Sequence, residues 1–265
     1  MKLNKAAFTG LIMCFMAILF GIATNGGIGT LLNFLHLPSF ILTAGGAIFA
    51  VLMTADSFAD FVNGLKGFGN ALSTGKDNTE QISETIFELA DVARKEGLLV
   101  LEEKAKDLSD EYLAKGINLV VDGTDPELVR DIMEKEISHK YDYARKQVQF
   151  WQDFGSYAPA WGMVGTLLGL INMLKSMGLD PSSVGEGMSL ALITTLYGSV
   201  IANWICIPVS RKLDKKCDAE FLANEIIAEG VLSIQAGENP RIIKEKIKAI
   251  VSSHNGPENV STESE

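Results

Sequence analysis

FGSYAPAWGMVGTLLGLINML, residues Phe154–Leu174, and GMSLALITTLYGSVIANWICIPVS, residues Gly187–Ser210, contain no charged side chain. About 20 apolar residues cross a bilayer core as a helix, so each stretch is long enough to span. Neither is uniformly greasy. Small and hydroxyl residues recur every three or four positions: Ala158, Gly162, Thr166 and Gly169 on the first, and Gly187, Ala191, Thr195, Ser199 and Asn203 on the second. At 3.6 residues per turn each set is expected to line one face. Such a face has two readings. Small residues let helix backbones approach closely in lipid, which makes a packing seam. Alternatively, Thr166 and Thr195 present hydroxyls to a polar path through the membrane.

Working outward from this pair, Ala6–Ala55 also lacks Asp, Glu, Lys and Arg, a length that suits two spans and a turn. Span one is expected at Ala6–Ile22, followed by a loosened Thr24–Gly27, and span two at Phe40–Met53, with Gly45 and Gly46 inside it. Lys2 and Lys5 ahead of an apolar run resemble a signal peptide, but a second span follows and no clean cleavage site ends the first, so the run reads as a retained helix. Asp56–Asp153 is rich in charge and reads as water-exposed. The chain is therefore expected to be all-α, a polytopic membrane protein with four transmembrane helices and a large helical cytoplasmic domain. Its divisions are residues 1–55 and 154–210 as transmembrane hairpins, 56–153 as the cytoplasmic domain, 211–251 as C-terminal cytoplasmic helices and 252–265 as a disordered tail.

Within the charged region, Phe58, Phe61, Val62, Leu65, Phe68 and Leu72 recur at helical spacing and predict an amphipathic helix, lying either on the membrane or on the soluble domain. Asn78 with Gln81 resembles a helix start running to Lys95, with Ile82, Ile86, Leu89, Val92 and Ala93 as its buried stripe. Gly97 breaks it. A helix over Leu98–Leu108 and another ending at Lys115, before Gly116, are expected next. Asp122–Pro126 is a turn with proline at the first position of a helix that feeds span three. Gly237–Pro240 starts a last helix, ending near Val251.

Orientation follows from basic residues near span ends. Lys2, Lys5, Arg211, Lys212, Lys215 and Lys216 put both termini and the charged region in the cytoplasm. The net charge of −10 then lies outside the bilayer and argues against nucleic-acid partners. Cys14, Cys206 and Cys217 are too scattered for a disulfide framework or a metal site. His36, His139 and His254 form no cluster with other catalytic groups, and no phosphate-binding glycine loop is present, so an enzyme is not expected and no cofactor is implied.

Ionisable residues inside a membrane ordinarily mark ion routes. Here Asp56, Asp153 and Glu186 stand only at span ends. The chain either does not conduct or borrows its titratable group from a partner. Pro159 and Pro208 both fall near the inner ends of their spans, where each is either tolerated or acts as a hinge. Arg94 and Lys95 at one helix end, with Glu102 and Glu103 on the next, form either a solvated face or an electrostatic partner surface.

The stretches GGIGTLLNF, LTAGGAIFAVLM, ELADVARKEGLLVLEE, LVVDGTDPELVR, APAWGMVGTLLGLINML, ALITTLYGSVIANWICIPVSRKL and EGVLSIQAGENPR together resemble the MotA/PomA family of flagellar motor stator subunits, within the wider MotA/TolQ/ExbB group. They span nearly the whole chain. The resemblance implies a homopentamer around a dimer of a MotB-like partner that supplies the missing membrane aspartate. It implies a location in the bacterial inner membrane, in contact with lipid, and flow of H+ or Na+ as the coupling ion, converted to torque on the rotor protein FliG. By family match, Arg94 and Glu102 engage the rotor, with Lys95, Glu103 and Arg241 contributing. Pro159 and Pro208 match paired prolines, and Thr166 and Thr195 match hydroxyls lining the ion route of sodium-type members. Two positions depart. Ser156 replaces an acidic residue of sodium-type relatives and leaves the ion open, and Ala105 stands where some relatives carry one more rotor-facing acid. Two alternatives remain: an ExbB/TolQ-type energiser, against which the four spans argue, and a non-transporting membrane scaffold.

Overall fold

A computed structural model describes residues 4–74, 79–176 and 181–255. Its elements are helical: α1 (Lys5–Gly26), a 3-10 segment (Ile28–Phe34), α2 (Leu37–Thr54), α3 (Phe58–Leu72), α4 (Thr79–Glu96), α5 (Leu101–Lys106), α6 (Glu111–Val121), α7 (Pro126–Ser176), α8 and α9 (Pro240–Asn255). Helix α8 comprises Pro181–Val200, a widened π turn over Ile201–Cys206, and Ile207–Gln235. A second π turn occupies Ile41–Gly45 within α2. Helices α1, α2, α7 and α8 each contain a segment long and apolar enough to cross a membrane.

The chain divides into two compact units, Met1–Thr74 with Arg145–Asp214, and Gly75–Ala144 with Lys215–Glu265. In the first, α1 keeps Thr24 in helix, beyond the Ile22 expected from sequence, and ends where Gly27 takes φ of +76°. Its large side chains stay exposed, with Met13 and Phe20 each at 72%, as suits a lipid-facing surface. Helix α2 begins at Leu37, earlier than Phe40. Pro38 sits in its first turn, where the missing N–H costs nothing, and the His36 ring accepts from the Ser39 N–H. Trp204 Nε1 donates to the Leu11 carbonyl at 3.1 Å and stacks on Phe15, joining α8 to α1.

Helix α3 packs on α7 in this unit. The buried face takes in only part of the apolar stripe read from sequence, Phe61 with Val62 and Phe68 packed beside it, and adds the small residues next to it. Phe61, Gly64, Gly67 and Ala71 are buried, whereas Phe58 is 70% and Leu65 43% exposed. The aromatics come from the other side: Phe150 and Trp151 of α7 lie against Gly64 and Gly67, and Trp151 Nε1 donates to the Gly64 carbonyl at 3.0 Å. A small-residue face admits two large rings where a large-residue face would not.

The second unit has a core of the kind water drives. Ile86, Leu101, Leu113, Ile117, Met133, Ile226 and Ile227 are fully buried together. Each such side chain is worth about 1.5–3 kcal/mol of transfer from water. Gly97 at φ of +90° breaks the path between α4 and a short 3-10 turn at Leu98–Val100. The helix expected over Leu98–Leu108 is thus split and shorter. Gly116 does not stop its helix either. It lies mid-way along α6, where a Cβ would meet Met133 Cε at 2.8 Å and Val231 Cγ2 at 2.9 Å. There glycine serves close approach, and the helix runs on to Val121. Helix α9 continues through Asn255, past the Ser252 expected to open a disordered tail. Residues 256–265 of that tail and the expected cap Asn78 lie outside the described residues.

Candidate functional site

The seam between α7 and α8 is built from backbone. A Cβ on Gly198 would stand 2.6 Å from the Ala158 carbonyl and 3.1 Å from Pro159 Cα. One on Gly162 would stand 2.9 Å from the Thr194 carbonyl, and one on Gly187 2.8 Å from the Gly169 carbonyl. Close backbone approach of this kind is how helices associate in lipid.

The first small-residue set stays at the seam: Ala158, Gly162 and Gly169 are buried and Thr166 is half-buried. The second does not keep one face. Gly187 and Ala191 are buried, but Thr195, Ser199 and Asn203 are exposed. Steps of four residues overshoot a full turn by about 40°, so the row winds out of the seam onto an open face. A small-residue stripe therefore becomes a hydroxyl and amide stripe along one helix.

Thr166 and Thr195 meet where the row leaves the seam. Their hydroxyls are in direct contact. Thr166 Oγ1 also donates to the carbonyls of Ala191 at 3.0 Å and Gly162 at 3.1 Å, and Thr195 Oγ1 to Ala191 at 3.1 Å. Thr194, a fully buried neighbour, donates to the same Ala191 carbonyl at 3.0 Å. One carbonyl has two lone pairs and also lies on the helix ladder. Each hydroxyl also has a second partner, Gly162 for Thr166, Leu190 for Thr194 and Thr166 for Thr195, so the cluster can be satisfied in more than one arrangement. Thr43 of α2, also fully buried, points at the Thr194 carbonyl from 3.5 Å.

Pro159 lies inside the continuous α7 and Pro208 just after the π turn of α8. Both are exposed. A proline ring clashes with the carbonyl four residues back, and a widened turn is one way a helix absorbs that clash. Gly155, four residues before Pro159, faces Cys206 at the end of that π turn, where a Cβ on Gly155 would stand 3.2 Å from the Cys206 Cβ.

The charged candidates lie in the second unit. Arg94 and Lys95 end α4, and Glu102 and Glu103 open α5 across the Gly97 turn. All four are exposed. Lys95 pairs with Asp91 at 2.5 Å and Glu102 with Lys106 at 3.9 Å, both along their own helices. Among the described residues Arg94, Glu103 and Arg241 have no ion pair. Arg241 is exposed in the first turn of α9, which packs on α4. Ala105 is buried in the core, so an acid at that position would point inward here. Among the described residues no group of three or more His, Cys, Asp or Glu is placed to hold a metal.

Sequence reasoning missed Thr43 and Thr194. Thr194 adjoins Thr195, and Thr43 adjoins the Gly45–Gly46 pair, but only the fold shows that both are buried against one another's helix. It also missed Tyr197, whose hydroxyl accepts from the His36 N–H at 3.0 Å and donates to the Phe34 carbonyl, tying the 28–36 connection to α8.

The sequence model of the MotA/TolQ/ExbB proton channel family matches residues 104–226. Motility protein A of Treponema phagedenis is 38% identical over 245 residues, covering 92% of this chain and 93% of the relative. The chain belongs to the motility protein A family of flagellar motor stator subunits. Chemotaxis protein PomA of Vibrio alginolyticus is 37% identical over 246 residues, covering 93% of this chain and 94% of PomA. Among solved structures, C. jejuni MotAB matches with a TM-score of 0.84 at 25% identity, covering 96% of this chain and 98% of that one. The flagellar MotAB stator complex from Bacillus subtilis matches with 0.83 at 28% identity, covering 95% and 98%. As a member of the motility protein A family this chain is an inner-membrane stator subunit that couples ion flow to torque, and it is not an enzyme. The whole-chain relatives favour that role over the ExbB/TolQ-type alternative.

Proposed function

We propose that five copies of this chain surround a dimer of a MotB-like subunit, and that cations pass along the open hydroxyl face of α8 between ring and partner. The carrying observation is the row Thr195, Ser199 and Asn203, exposed on a spanning helix whose bundle holds no Asp, Glu, Lys or Arg. A polar row facing lipid would be costly; facing a partner's helix it is useful. The partner contributes the carboxylate, consistent with relatives solved as MotAB complexes. Thr166 joins Thr195 as a second hydroxyl on the route. Their presence favours Na+, whereas Ser156 in place of an acid and the proton-channel description of the family favour H+.

Both termini and the second unit lie in the cytoplasm, where Lys5, Arg211, Lys212, Lys215 and Lys216 sit at the inner ends of spans. The rotor protein FliG then docks on the face carrying Arg94, Lys95, Glu102, Glu103 and Arg241. Pro159 and Pro208 serve as hinges between the spans and that face. One charge crossing 100 mV releases about 2.3 kcal/mol, enough to shift helices joined by interhelical bonds of roughly 0.6 kcal/mol each. It is far too little to unfold the bundle, so the output is rotation or hinging of intact helices.

Thr195→Val, which keeps shape and removes the hydroxyl, tests this reading. Swimming speed and cation flux are expected to fall while the membrane level of the chain stays constant. Unchanged motility would remove Thr195 from the route and revive the non-transporting scaffold.

A further inference from the structure

We propose that Thr43 is a positioning residue for cation passage, holding α2 against α8 at the level where Thr166 and Thr195 meet. This rests on the ion-route reading of those two hydroxyls and extends it to a third helix.

Other threonine hydroxyls in the spans each reach a carbonyl of their own helix, and Thr166 also reaches across to the Ala191 carbonyl of α8 at 3.0 Å. Thr9, Thr24, Thr54, Thr166, Thr194 and Thr195 each donate to a carbonyl three or four residues back. Thr43 instead reaches only across, to the Thr194 carbonyl of α8 in a long contact of 3.5 Å. Its place in the π turn Ile41–Gly45 accounts for the difference, because widening the turn changes the register of the carbonyls behind it. Both threonines are fully buried, so neither has water as an alternative partner. The next turn of α2 is fixed as well: Trp161 of α7 covers Gly46, with no room for a Cβ.

A chain of contacts follows. Thr43 reaches the backbone of Thr194. The Thr194 side chain is wedged over Gly165, where a Cβ would stand 2.7 Å from its hydroxyl oxygen. That hydroxyl lies 3.0 Å from both the Leu190 and the Ala191 carbonyls, and when turned to Ala191 it shares that acceptor with Thr166 and Thr195. Where Thr194 sits therefore biases which of the other two has a free hydroxyl proton or lone pair. Thr43 touches no part of the open face. It acts on cation passage only through Thr194.

The test uses the full chain in motile cells with its natural partner, reading swimming speed against external sodium chloride and against external pH. Thr43→Val removes the hydroxyl and keeps the shape. It is expected to raise the half-saturating cation concentration by up to about threefold, the equilibrium effect of one full interhelical hydrogen bond, with maximal speed and membrane level retained. Thr43→Ser is expected to restore the wild-type value. An unchanged half-saturation in Thr43→Val overturns the inference, and so does a shift that Thr43→Ser shares, since that would reflect packing. Thr195→Val run in parallel separates the two ideas. If it lowers speed while Thr43→Val does nothing, only the positioning role is lost. If Thr195→Val is silent, the ion route is lost and the Thr43 role with it.

Discussion

One helix, α7, is used in two ways along its length. Over residues 126–144 it buries Val129, Met133 and Ile137 among other large aliphatic side chains. From Arg145 onward its seam residues are Gly155, Ala158, Gly162, Gly165 and Gly169. The first pattern is what water selects, since stability there comes from apolar area withdrawn from solvent. The second is what lipid selects. A large side chain gains little by leaving hydrocarbon for a protein neighbour, so contact depends on how near two backbones come. Polar groups follow the same divide. The second unit pairs charges at its surface, as in Lys115 and Lys140 on Glu136. The first unit places hydroxyls on carbonyls and keeps its ion pairs, Lys146 with Asp56 and Arg145 with Asp214, at the ends of the apolar segments.

Gly198→Val attacks the lipid-type seam at a point where backbone meets backbone. Its Cβ would press on the Ala158 carbonyl at 2.6 Å, and backbone cannot rotate away. Separation of α7 from α8, loss of the assembled complex on native gels and loss of swimming are expected. Full motility would show that backbone proximity is not what holds this seam.

Next in size, Ile227→Ala in the water-type core is expected to cost about 2–5 kcal/mol through lost burial and a residual cavity, since Ile227 is fully buried. Thermal unfolding of the purified chain in detergent reads it. A change within half a kcal/mol would deny that the second unit is stabilised by its packed core.

Arg94→Glu, at an exposed residue without an ion pair, is expected to leave the unfolding temperature within the scatter of surface substitutions, about 0.5 kcal/mol. Torque under load is expected to fall and to recover in part with a charge reversal on the rotor. Normal torque would end its assignment to the rotor face.

The smallest effect concerns Glu136. Lys115, through its hydrogen bond, outweighs the opposing effect of burial and, with help from Lys140, holds its carboxyl below the usual carboxylate range. A depressed folded pKa contributes stability above the unfolded pKa and loses it as pH falls through the folded one. Glu136→Gln is therefore expected to cost at most about 1 kcal/mol at neutral pH, and the gap to wild type should close on acidification. A gap that widens in acid would reverse the sign assigned to this pair.

Much of the membrane half was legible in sequence because uncharged length is itself the physical requirement for crossing lipid. The four spans, the Pro126 helix start and the Gly97 break all follow from rules local to a few residues. What escaped depended on partners distant in the chain. Gly116 looks like a helix stop until Met133 and Val231 are seen pressing on it. The α3 stripe was legible, but not that Phe150 and Trp151 would also come in against the glycines beside it. At the site, Thr195 was legible because it sits in a periodic row, although the row's drift out of the seam was not. Thr43 was invisible as a partner of Thr194, 151 positions away, since no periodicity links residues on different helices.

Cation flux into vesicles containing the purified chain alone, compared with the chain reconstituted together with its single-span partner, tests most directly whether this bundle lends hydroxyls to a charge it does not own. No flux above empty vesicles is expected from the chain alone, and flux abolished by Thr195→Val is expected with the partner present. Sustained cation flux through the chain alone would contradict the account.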